Sequence, residues 1–377
     1  MEPVSESELS KMIAGADGPL QIIGGGTRPV GRPVDGAALS LAKLSGVVEY
    51  EPGALTLVVK AGTPVAEIER LLAAEGQRLP FEPMDHRGLL GTKGAPTIGG
   101  VVAANVSGPR RVQAGACRDY LLGVKFVDGT GRILKNGGRV MKNVTGYDLV
   151  KLMAGSRGTL GVLSEVSFKV LPEPPAAAVL RLGGLDEARA GEAMCAALRS
   201  PFEVTGAAHL PADITGENAA TLLRIEGFEA SVSYRAERLG DLLDGFGKVE
   251  VERDEAQIAQ TWSAVRDVKA FHDHAGDVWR YSVRPTAGPA LGASLRAMGA
   301  QALQYDWSGG LVWALGPEGA DMRPEGLDGH ATLIRAGKET RARLPVFQPE
   351  AAPIQKISQA LRDRFDPRGI LNPGLMG

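Results

Sequence analysis

Residues 142–172 read K-N-V-T-G-Y-D-L-V-K-L-M-A-G-S-R-G-T-L-G-V-L-S-E-V-S-F-K-V-L-P, and they predict a short helix, a glycine-broken turn and a strand. Val150 and Met153 recur at helical spacing, and the glycines that follow end this period because glycine tolerates backbone angles that other residues avoid. Apolar and polar residues then alternate over 166–170, which is the period of a half-buried strand. The stretch therefore joins two elements through a glycine turn.

Two further glycine clusters, at 24–26 and 91–108, precede the turn at 155–161. The first follows a short strand at 19–23, but the prolines of R-P-V-G-R-P forbid the helix that a nicotinamide-type Rossmann turn needs. Runs of bare backbone amides bind anions, and small residues let a backbone lie flat against a planar ligand. One ligand with a pyrophosphate and a flat ring would explain all three clusters, whereas ordinary tight connections between packed elements are the alternative.

The composition excludes several classes of protein. The chain has 377 residues, so two domains are expected, and 44% hydrophobic with 23% charged residues is typical of a soluble globular protein. A net charge of -2 gives no support for a nucleic-acid partner or an anionic membrane surface. There is no run of about 18 apolar residues, so no direct membrane span is expected.

The two cysteines, Cys117 and Cys195, lie far apart and in no metal-type spacing. We therefore expect a cytoplasmic, disulfide-free chain that cannot ligate an iron-sulfur cluster by itself. The acidic N-terminus lacks the pattern of a signal peptide. Any membrane association, for example at the periphery of an inner membrane, would come through partners.

From residue 177 to residue 335 strands and helices alternate. The predicted elements are strand 177–182, helix 186–199, strands 203–209 and 219–226, helix 228–244, strand 247–252, helix 255–270, strand 278–284, helix 288–299, strands 301–306 and 310–315, a helical turn region, and strand 330–335. Two β-α-β-β-α-β units of this kind make an antiparallel sheet with helices on one face. The fold class is therefore α+β, and the sheet can roof a ligand held by the first domain.

Five motifs carry a resemblance to a known family. They are G-G-G-T after the first strand, T-I-G-G-V-V-A-A-N-V-S-G-P, V-M-K-N-V-T-G-Y-D-L, G-S-R-G-T-L-G-V-L-S-E-V, and F-D-P-R-G-I-L-N-P-G near the end. Together they resemble the FAD-binding fold of vanillyl-alcohol oxidase type flavoproteins, also called PCMH-type. Within that family the third and fourth motifs are most similar to the FAD-binding subunits of bacterial glycolate oxidases. The resemblance is dense over residues 20–172 and sparse afterwards.

The resemblance implies three parts and a set of FAD contacts. A two-part PCMH-type FAD-binding domain would span 1–174, a cap domain 175–348, and a C-terminal helix and tail 349–377 that returns toward the flavin. The implied pyrophosphate loop is Gly24, Gly25, Gly26, Thr27 and Arg28. The implied ribityl and isoalloxazine contacts are Thr97, Ile98, Gly99, Gly100, Ala104 and Asn105. The implied adenosine contacts are Gly158, Thr159, Leu160, Gly161 and Val162, with Asn372 approaching the flavin from the tail.

Two departures from the family pattern refine these expectations. Members with covalent flavin carry histidine or cysteine where this chain has Arg28, Pro29 and Ile98, so FAD should be non-covalent. The histidine-rich metal motif expected of the related catalytic subunit has no equivalent here. His272 and His274 form only an H-x-H pair, which is more typical of a solvated helix end than of a metal site.

Candidate catalytic residues come from the second half of the chain. Arg280 and Arg284 alternate on one predicted strand, so both side chains should point the same way, and an arginine fork suits a small carboxylate. His330 could act as a base because histidine titrates near neutral pH. Surface salt bridges for the arginines and a strand-start position for the histidine are the alternatives. Arg110, Arg111 and Arg118 could touch phosphate or a partner, or lie on a solvated face.

Three hypotheses for function follow. The first is a non-covalent FAD subunit of a glycolate or other 2-hydroxy-acid oxidase complex, with a second flavoprotein subunit and an iron-sulfur subunit as partners. The second is a free-standing FAD enzyme that oxidises a small hydroxy acid. The third is an assembly subunit with a vestigial flavin pocket. The substrate, the electron acceptor and the stoichiometry are not encoded in any motif.

Overall fold

The computed structural model describes residues 1–138, 146–216 and 218–376. Residues 140–145, which are part of the third motif, lie outside the described residues. The helices are α1 (Glu6–Ala14), α2 (Val65–Ala73), α3 (Arg87–Leu90), α4 (Ile98–Ala103), α5 (Arg111–Ala114), α6 (Cys117–Tyr120), α7 (Leu149–Met153), α8 (Glu187–Arg199), α9 (Ala212–Thr215), α10 (Glu229–Leu243), α11 (Glu255–Arg266), α12 (Gly288–Ala297), α13 (Lys338–Arg343) and α14 (Ala352–Phe365).

The strands form four sheets in the described part of the chain. They are β1 (Leu20–Ile23), β2 (Ala37–Ser40), β3 (Val47–Glu51), β4 (Thr56–Lys60), β5 (Gln77–Arg78), β6 (Leu121–Val127), β7 (Ile133–Gly137), β8 (Val162–Lys169), β9 (Leu171–Pro172), β10 (Ala176–Gly183), β11 (Val204–Leu210), β12 (Ala220–Gly227), β13 (Val249–Glu252), β14 (Asp277–Val283), β15 (Ala302–Asp306), β16 (Leu311–Gly316) and β17 (Gly329–Arg335). Helices and antiparallel sheets are mixed, so the fold class is α+β.

The N-terminal sheet has the order β3-β4-β8-β6-β7, and all its neighbours are antiparallel. The strand predicted after the glycine turn is β8, which lies at the centre of this sheet. Val166 and Phe168 are fully buried, whereas Glu165 and Lys169 are half-buried, as the alternation predicted. Ser167 is also buried, so the second face of β8 is more covered than expected.

A smaller parallel pair, β1 and β2, carries the first glycine loop. The C-terminal tail adds a parallel bridge between Leu20 and Leu371 on the free side of β1. Leu9 and Ile13 of α1 pack with these residues in a separate small core. This arrangement holds the end of β1, and therefore residues 24–28, in a fixed place.

The eight-stranded sheet, here called the cap sheet, has the order β13-β10-β12-β11-β15-β16-β14-β17 and is antiparallel throughout. Its two halves mirror each other: β10–β13 form one unit, β14–β17 form the other, and β11 meets β15 between them. Helices α8 and α10 pack on one face. The predicted alternation of strands is thus present along 176–335.

Two features of the cap sheet differ from the prediction. The second unit has no helix between β16 and β17, because Pro317, Pro324 and the glycines between them break a helical segment. Helix α11, which links the units, packs on the face opposite α8 and α10, through Ile258 and Trp262. Helices therefore lie on both faces of the first unit rather than on one.

A buried ion cluster joins the cap sheet to the N-terminal half. Glu226 on β12 accepts from Arg110 (2.6 Å) and from Arg78 (3.0 Å). Arg224 on the same strand donates to Glu82 at 3.0 Å, and Arg110 also lies 3.1 Å from Glu82. Arg110 is therefore neither a phosphate ligand nor part of a solvated face. Buried charges are tolerated only when they are paired, so this cluster fixes how the two sheets sit against each other.

We predict that Glu226→Gln lowers the free energy of unfolding at pH 7 by about 3–5 kcal/mol, because buried arginines lose their partner. The measurement is urea denaturation. The arginines hold the pKa of Glu226 well below its usual value. The stabilisation is therefore complete above about pH 5 and is lost as the pH falls through the lower folded-state pKa, so the difference from wild type shrinks in acid.

The matched control is Glu250→Gln, which removes an exposed carboxylate 3.7 Å from Lys248 on the edge of the same sheet. Exposed pairs contribute little, so this variant should unfold like wild type. Equal stability of Glu226→Gln and Glu250→Gln would contradict the structural role of the cluster.

Candidate functional site

The three glycine clusters meet at one cleft of about 500 Å³. The cleft lies between the end of β1, the start of α4 and the turn between α7 and β8. Predicted FAD contacts that line it are Gly24, Gly25, Gly26, Thr27, Arg28, Thr97, Gly99, Gly100, Ala104, Gly158, Gly161, Val162 and Asn372. The tight-connection alternative also applies in part, as the contacts of individual glycines show.

The loop of residues 24–28 presents free backbone amides. Among the described residues, no protein acceptor receives a hydrogen bond from the amides of this loop. Gly26 adopts a φ of 67°, in the left-handed region that favours glycine. Successive free amides in such a turn form a nest for an anion.

The first two glycine clusters are in backbone contact. A Cβ on Gly24 would lie 2.5 Å from the Thr97 side-chain oxygen, and one on Gly25 would overlap the Ala95 carbonyl. The Thr97 hydroxyl is buried and has no partner in the described structure. The loops can approach this closely only without side chains. The orphaned hydroxyl at their contact is available to a polar ligand in the cleft.

Residues at the start of α4 have different environments: some pack in the core and others line the cleft. The amides of Ile98 and Gly99 donate to Thr63 and Ala61 carbonyls, and the Ile98 side chain is fully buried in the core. Ile98 therefore packs in the core, not in the cleft as expected. Asn105 lines a second, smaller cavity, and its side-chain oxygen accepts from the Arg118 amide.

Residues of the third glycine turn and of the C-terminal tail also differ in whether their side chains face the cleft. Thr159 and Leu160 do not line the cleft, and the Thr159 hydroxyl donates to the Ser156 carbonyl at 2.7 Å. The Asn372 side chain accepts from the Ile22 amide and donates to the Arg157 carbonyl, both at 2.8 Å. Both polar ends of Asn372 thus fasten the tail to the cleft wall, so its side chain positions the cleft.

The second cavity, here called the arginine cavity, lies between the cleft and the cap sheet and has a volume of about 80 Å³. Arg28, Arg157 and Arg280 all line it, and the first two also line the cleft. None of the three forms a salt bridge within the described structure. Burial lowers the pKa of Arg28 and of Arg280 to about 10 and that of Arg157 to about 9. All three remain charged at neutral pH.

Neutral contacts hold these guanidinium groups in place. Arg280 lies over the rings of Trp307 (5.1 Å) and Trp313 (6.0 Å), and Arg157 lies over Phe347 at 4.5 Å. Such cation–π contacts orient a cation without neutralising it.

Arg28 binds a buried histidine. Its Nη1 donates to the Gly100 carbonyl at 2.8 Å, and its Nε donates to His86 Nδ1 at 3.2 Å. Burial and the Arg28 charge hold the pKa of His86 well below its usual value, so the ring is neutral. The same Nδ1 also lies 3.3 Å from the Met84 carbonyl oxygen, so the ring nitrogen sits between a donor and an acceptor. His86 thus places a neutral imidazole in the wall of the arginine cavity.

Asp306 is the acidic group of the cavity wall. One carboxyl oxygen accepts from the Trp307 amide at 2.7 Å, and the other has no protein partner among the described residues. Burial raises the pKa of Asp306 to about 7, although the Trp307 bond opposes this. Trp307 and Ser308, which follow it, have φ values of 50° and 59°, so the chain turns sharply beside the cavity.

The other predicted catalytic residues are outside both cavities. Arg284 follows the end of β14, is 77% exposed and pairs with the equally exposed Asp328 at 3.1 Å, which is the surface salt bridge of the alternative. His330 is exposed near the start of β17. Arg280 alone of the three faces the site, because the strand ends at Val283, before Arg284.

The histidine pair of residues 272 and 274 has a structural contact instead. His272 Nε2 donates to the Asp267 carbonyl at 2.9 Å, and its ring packs on Gly88. Within the described ranges, no group of three His, Cys, Asp or Glu side chains is placed to hold a metal ion.

Several lining residues were missed in the sequence. Lys338 and Arg341 of α13 line the cleft, and Arg341 donates to the Pro29 carbonyl at 2.7 Å. His86, Arg157 and Asp306 line the arginine cavity. Asp306 opens the stretch D-W-S-G-G at residues 306–310, whose consecutive small residues are a turn signal, and Arg157 lies within the fourth motif. The others carry no spacing that distinguishes them from surface charges.

Comparisons with known proteins agree with this geometry. Residues 1–137 match the family model described as FAD binding domain. The chain is 36% identical over 367 residues to the glycolate oxidase subunit GlcE of Escherichia coli (strain K12), covering 95% of this chain and 92% of that one. The chain belongs to the GlcE family of glycolate oxidase subunits.

Other relatives of this GlcE-family chain extend the comparison. The glycolate oxidase subunit GlcD of Bacillus subtilis (strain 168) is 30% identical over 64% of this chain and 49% of its own length. The solved structure of p-cresol methylhydroxylase with substrate bound superposes with a TM-score of 0.72 at 14% identity, covering 100% of this chain and 88% of that one. The fold is therefore PCMH-type.

FAD fits the residues present in this GlcE-family chain. The free amides of 24–28 and the orphaned Thr97 hydroxyl would hold its polar parts, and Gly100, Ala104 and Gly158 leave room for its rings. When bound, FAD supplies a reversible two-electron acceptor. The residues of the cleft would orient the cofactor, and those of the arginine cavity would provide positive charge beside it.

We predict that Gly24→Ala weakens FAD binding roughly 5- to 150-fold, because the added methyl forces the first loop away from Thr97, and such overlaps cost about 1–3 kcal/mol. Fluorescence titration of the flavin-free chain with FAD measures the affinity. Gly53→Ala is the control, since a Cβ there meets nothing within 4 Å. Unchanged affinity in Gly24→Ala would contradict the assignment of the loop.

Proposed function

We propose that this chain is the non-covalent FAD-binding subunit of a glycolate or other 2-hydroxy-acid oxidase complex. The observation that carries the proposal is the junction of the three glycine clusters around one cleft, which has free amides in its wall and adjoins the arginine cavity. A dinucleotide flavin has a matching distribution of chemistry, with a diphosphate in its middle and a flat redox ring at one end.

The absence of a covalent link is part of the proposal. At the positions where the resemblance places the covalent attachment, this chain has Arg28, Pro29 and Ile98. Arginine, proline and isoleucine have no nucleophile that bonds to a flavin ring carbon or methyl group. Burial also raises the pKa of the Cys117 thiol, which keeps it in the unreactive form.

The partners in this proposal are a second flavoprotein subunit and an iron-sulfur subunit. The names of the relatives GlcE and GlcD imply a glycolate oxidase of several subunits. Both cysteines of this chain are free, and they lie on different elements, so cluster ligands would have to come from another chain. Electrons from the hydroxy acid would pass through flavin to that cluster.

The structure adds one observation on location. In the part of the chain it describes, every helix is too short or too polar to cross a bilayer. In this proposal the complex is cytoplasmic, and a membrane contact would be peripheral and made by a partner.

A second function, a free-standing FAD-dependent 2-hydroxy-acid dehydrogenase, is favoured by the arginine cavity. Three charged guanidinium groups beside the cleft, none of them salt-bridged in the described structure, suit a substrate carboxylate within this chain. An assembly subunit with a vestigial flavin pocket would have no need of these buried charges.

The test begins with the purified chain. We expect one FAD per chain and release of all flavin into the supernatant on acid precipitation; flavin retained in the pellet would contradict the non-covalent assignment. A chain that stays colourless after incubation with FAD would contradict the proposed function as a whole.

Native co-purification then separates the two functions. In the complex we expect a combined flavin and iron-sulfur spectrum, and no bleaching of the isolated chain by anaerobic glycolate. Rapid bleaching of the isolated chain by glycolate or lactate would instead establish the free-standing dehydrogenase.

A further inference from the structure

The arginine cavity holds more positive charge than the protein neutralises. Arg28, Arg157 and Arg280 face it, and within the described structure their contacts are a histidine nitrogen, a backbone carbonyl and aromatic rings. Arg266 also lines the cavity, but it is neutralised by Asp267 at 2.8 Å. Uncompensated buried charge is costly, so the cavity is shaped to receive an anion.

The size and chemistry of the cavity limit that anion. Its volume of about 80 Å³ admits an acid of few non-hydrogen atoms. Leu311, Trp313 and Ile334 form an apolar wall on the cap-sheet side, and His86 adds a neutral imidazole ring. Guanidinium forks match carboxylates, and the small volume of the cavity excludes large ligands.

Asp306 is the single carboxyl group in this wall among the described residues, and it shares the cavity with the arginines. The charged groups that act on it are Arg280 on β14, Arg224 on β12 and Glu82 from the N-terminal half. Arg224 is already paired with Glu82 at 3.0 Å. An ionised Asp306 would therefore be the internal counter-ion of the cavity arginines, and it would compete with any anion from outside.

We propose that the arginine cavity binds a small monocarboxylate with Arg280 as its main partner, and that Asp306 must carry a proton for this anion to bind. The proposal rests on the proposed function only for the expectation that the anion is a 2-hydroxy acid. Asp306 acts as a positioning residue that sets the charge of the cavity. The raised pKa of Asp306, about 7, means that the carboxyl group is half protonated near neutral pH and gains its full proton occupancy only in mild acid.

The consequence for binding has a definite sign. Below the pKa of Asp306 the carboxyl group is neutral and the cavity is most positive. Above it, ionisation offsets one positive charge, so the affinity for a carboxylate falls. If the carboxylate binds only when Asp306 is protonated, and the pKa of Asp306 is about 7, the dissociation constant of the carboxylate should rise about tenfold between pH 6 and pH 8.

The experiment uses the flavin-loaded chain and oxamate, a small carboxylate without an oxidisable carbinol C–H bond. Quenching of tryptophan fluorescence follows binding, because Arg280 lies over Trp307 and Trp313. Wild type should bind oxamate at pH 6 and about tenfold more weakly at pH 8. Asp306→Asn should remove this pH dependence, and Arg280→Gln should weaken binding at least tenfold at pH 6.

Arg284→Gln is the matched control, since Arg284 is exposed and follows the same strand. It should bind oxamate as wild type does. If Arg280→Gln loses its flavin or its fold, Arg280→Lys replaces it: this variant keeps the charge, loses the planar fork and should bind severalfold more weakly. Flavin content and melting temperature are measured for every variant.

Each other outcome overturns the proposal. A flavin-loaded chain that binds no oxamate at either pH has no carboxylate site, although the proposed FAD function would stand. Binding that is independent of pH in wild type, or that keeps its pH dependence in Asp306→Asn, removes the role of Asp306. Equal effects of Arg284→Gln and the Arg280 variants would show non-specific charge attraction.

Discussion

The structure depends on the close approach of two backbone loops that carry no side chains at their contact. Gly24 and Gly25 lie against the segment that ends at Thr97, and a Cβ at either glycine would meet that segment. This contact places the free amides of the first loop at the mouth of α4. The same absence of side chains opens the cleft, so packing within the protein and space for a ligand have one cause.

A second constraint positions the roof over this cleft. The cluster of Glu82, Arg110, Arg224 and Glu226 ties β12 to the N-terminal half, and Trp307 adds a hydrogen bond to the Gly108 carbonyl at 3.0 Å. The cap sheet is thereby held with Arg280 facing Arg157. At this junction the paired charges of the cluster hold the two halves together, whereas the arginines without a salt bridge in the described structure line the arginine cavity.

Sequence reasoning succeeded where the signal is local. Hydrophobic periodicity located the cap strands, and glycine clusters located the loops that meet at the cleft. It failed where the outcome depends on which neighbour covers a residue. Arg284 shares the pattern of Arg280 but follows the strand end, and Asn372 uses its side chain to fasten the tail. The pKa values of His86 and Asp306 are shifted because the folded protein buries both side chains. No spacing along the chain reveals that burial.

The most direct test of this account is an experimental structure of the chain with FAD bound. The account predicts the diphosphate within hydrogen-bond distance of the amides of residues 24–28, with the isoalloxazine ring at the end of the cleft beside Arg28 and Arg157. A further cavity of about 400 Å³, lined by Gln359, Arg368 and the tail, offers an alternative position. Density for FAD in that cavity, or a diphosphate away from the first glycine loop, would contradict the central claim.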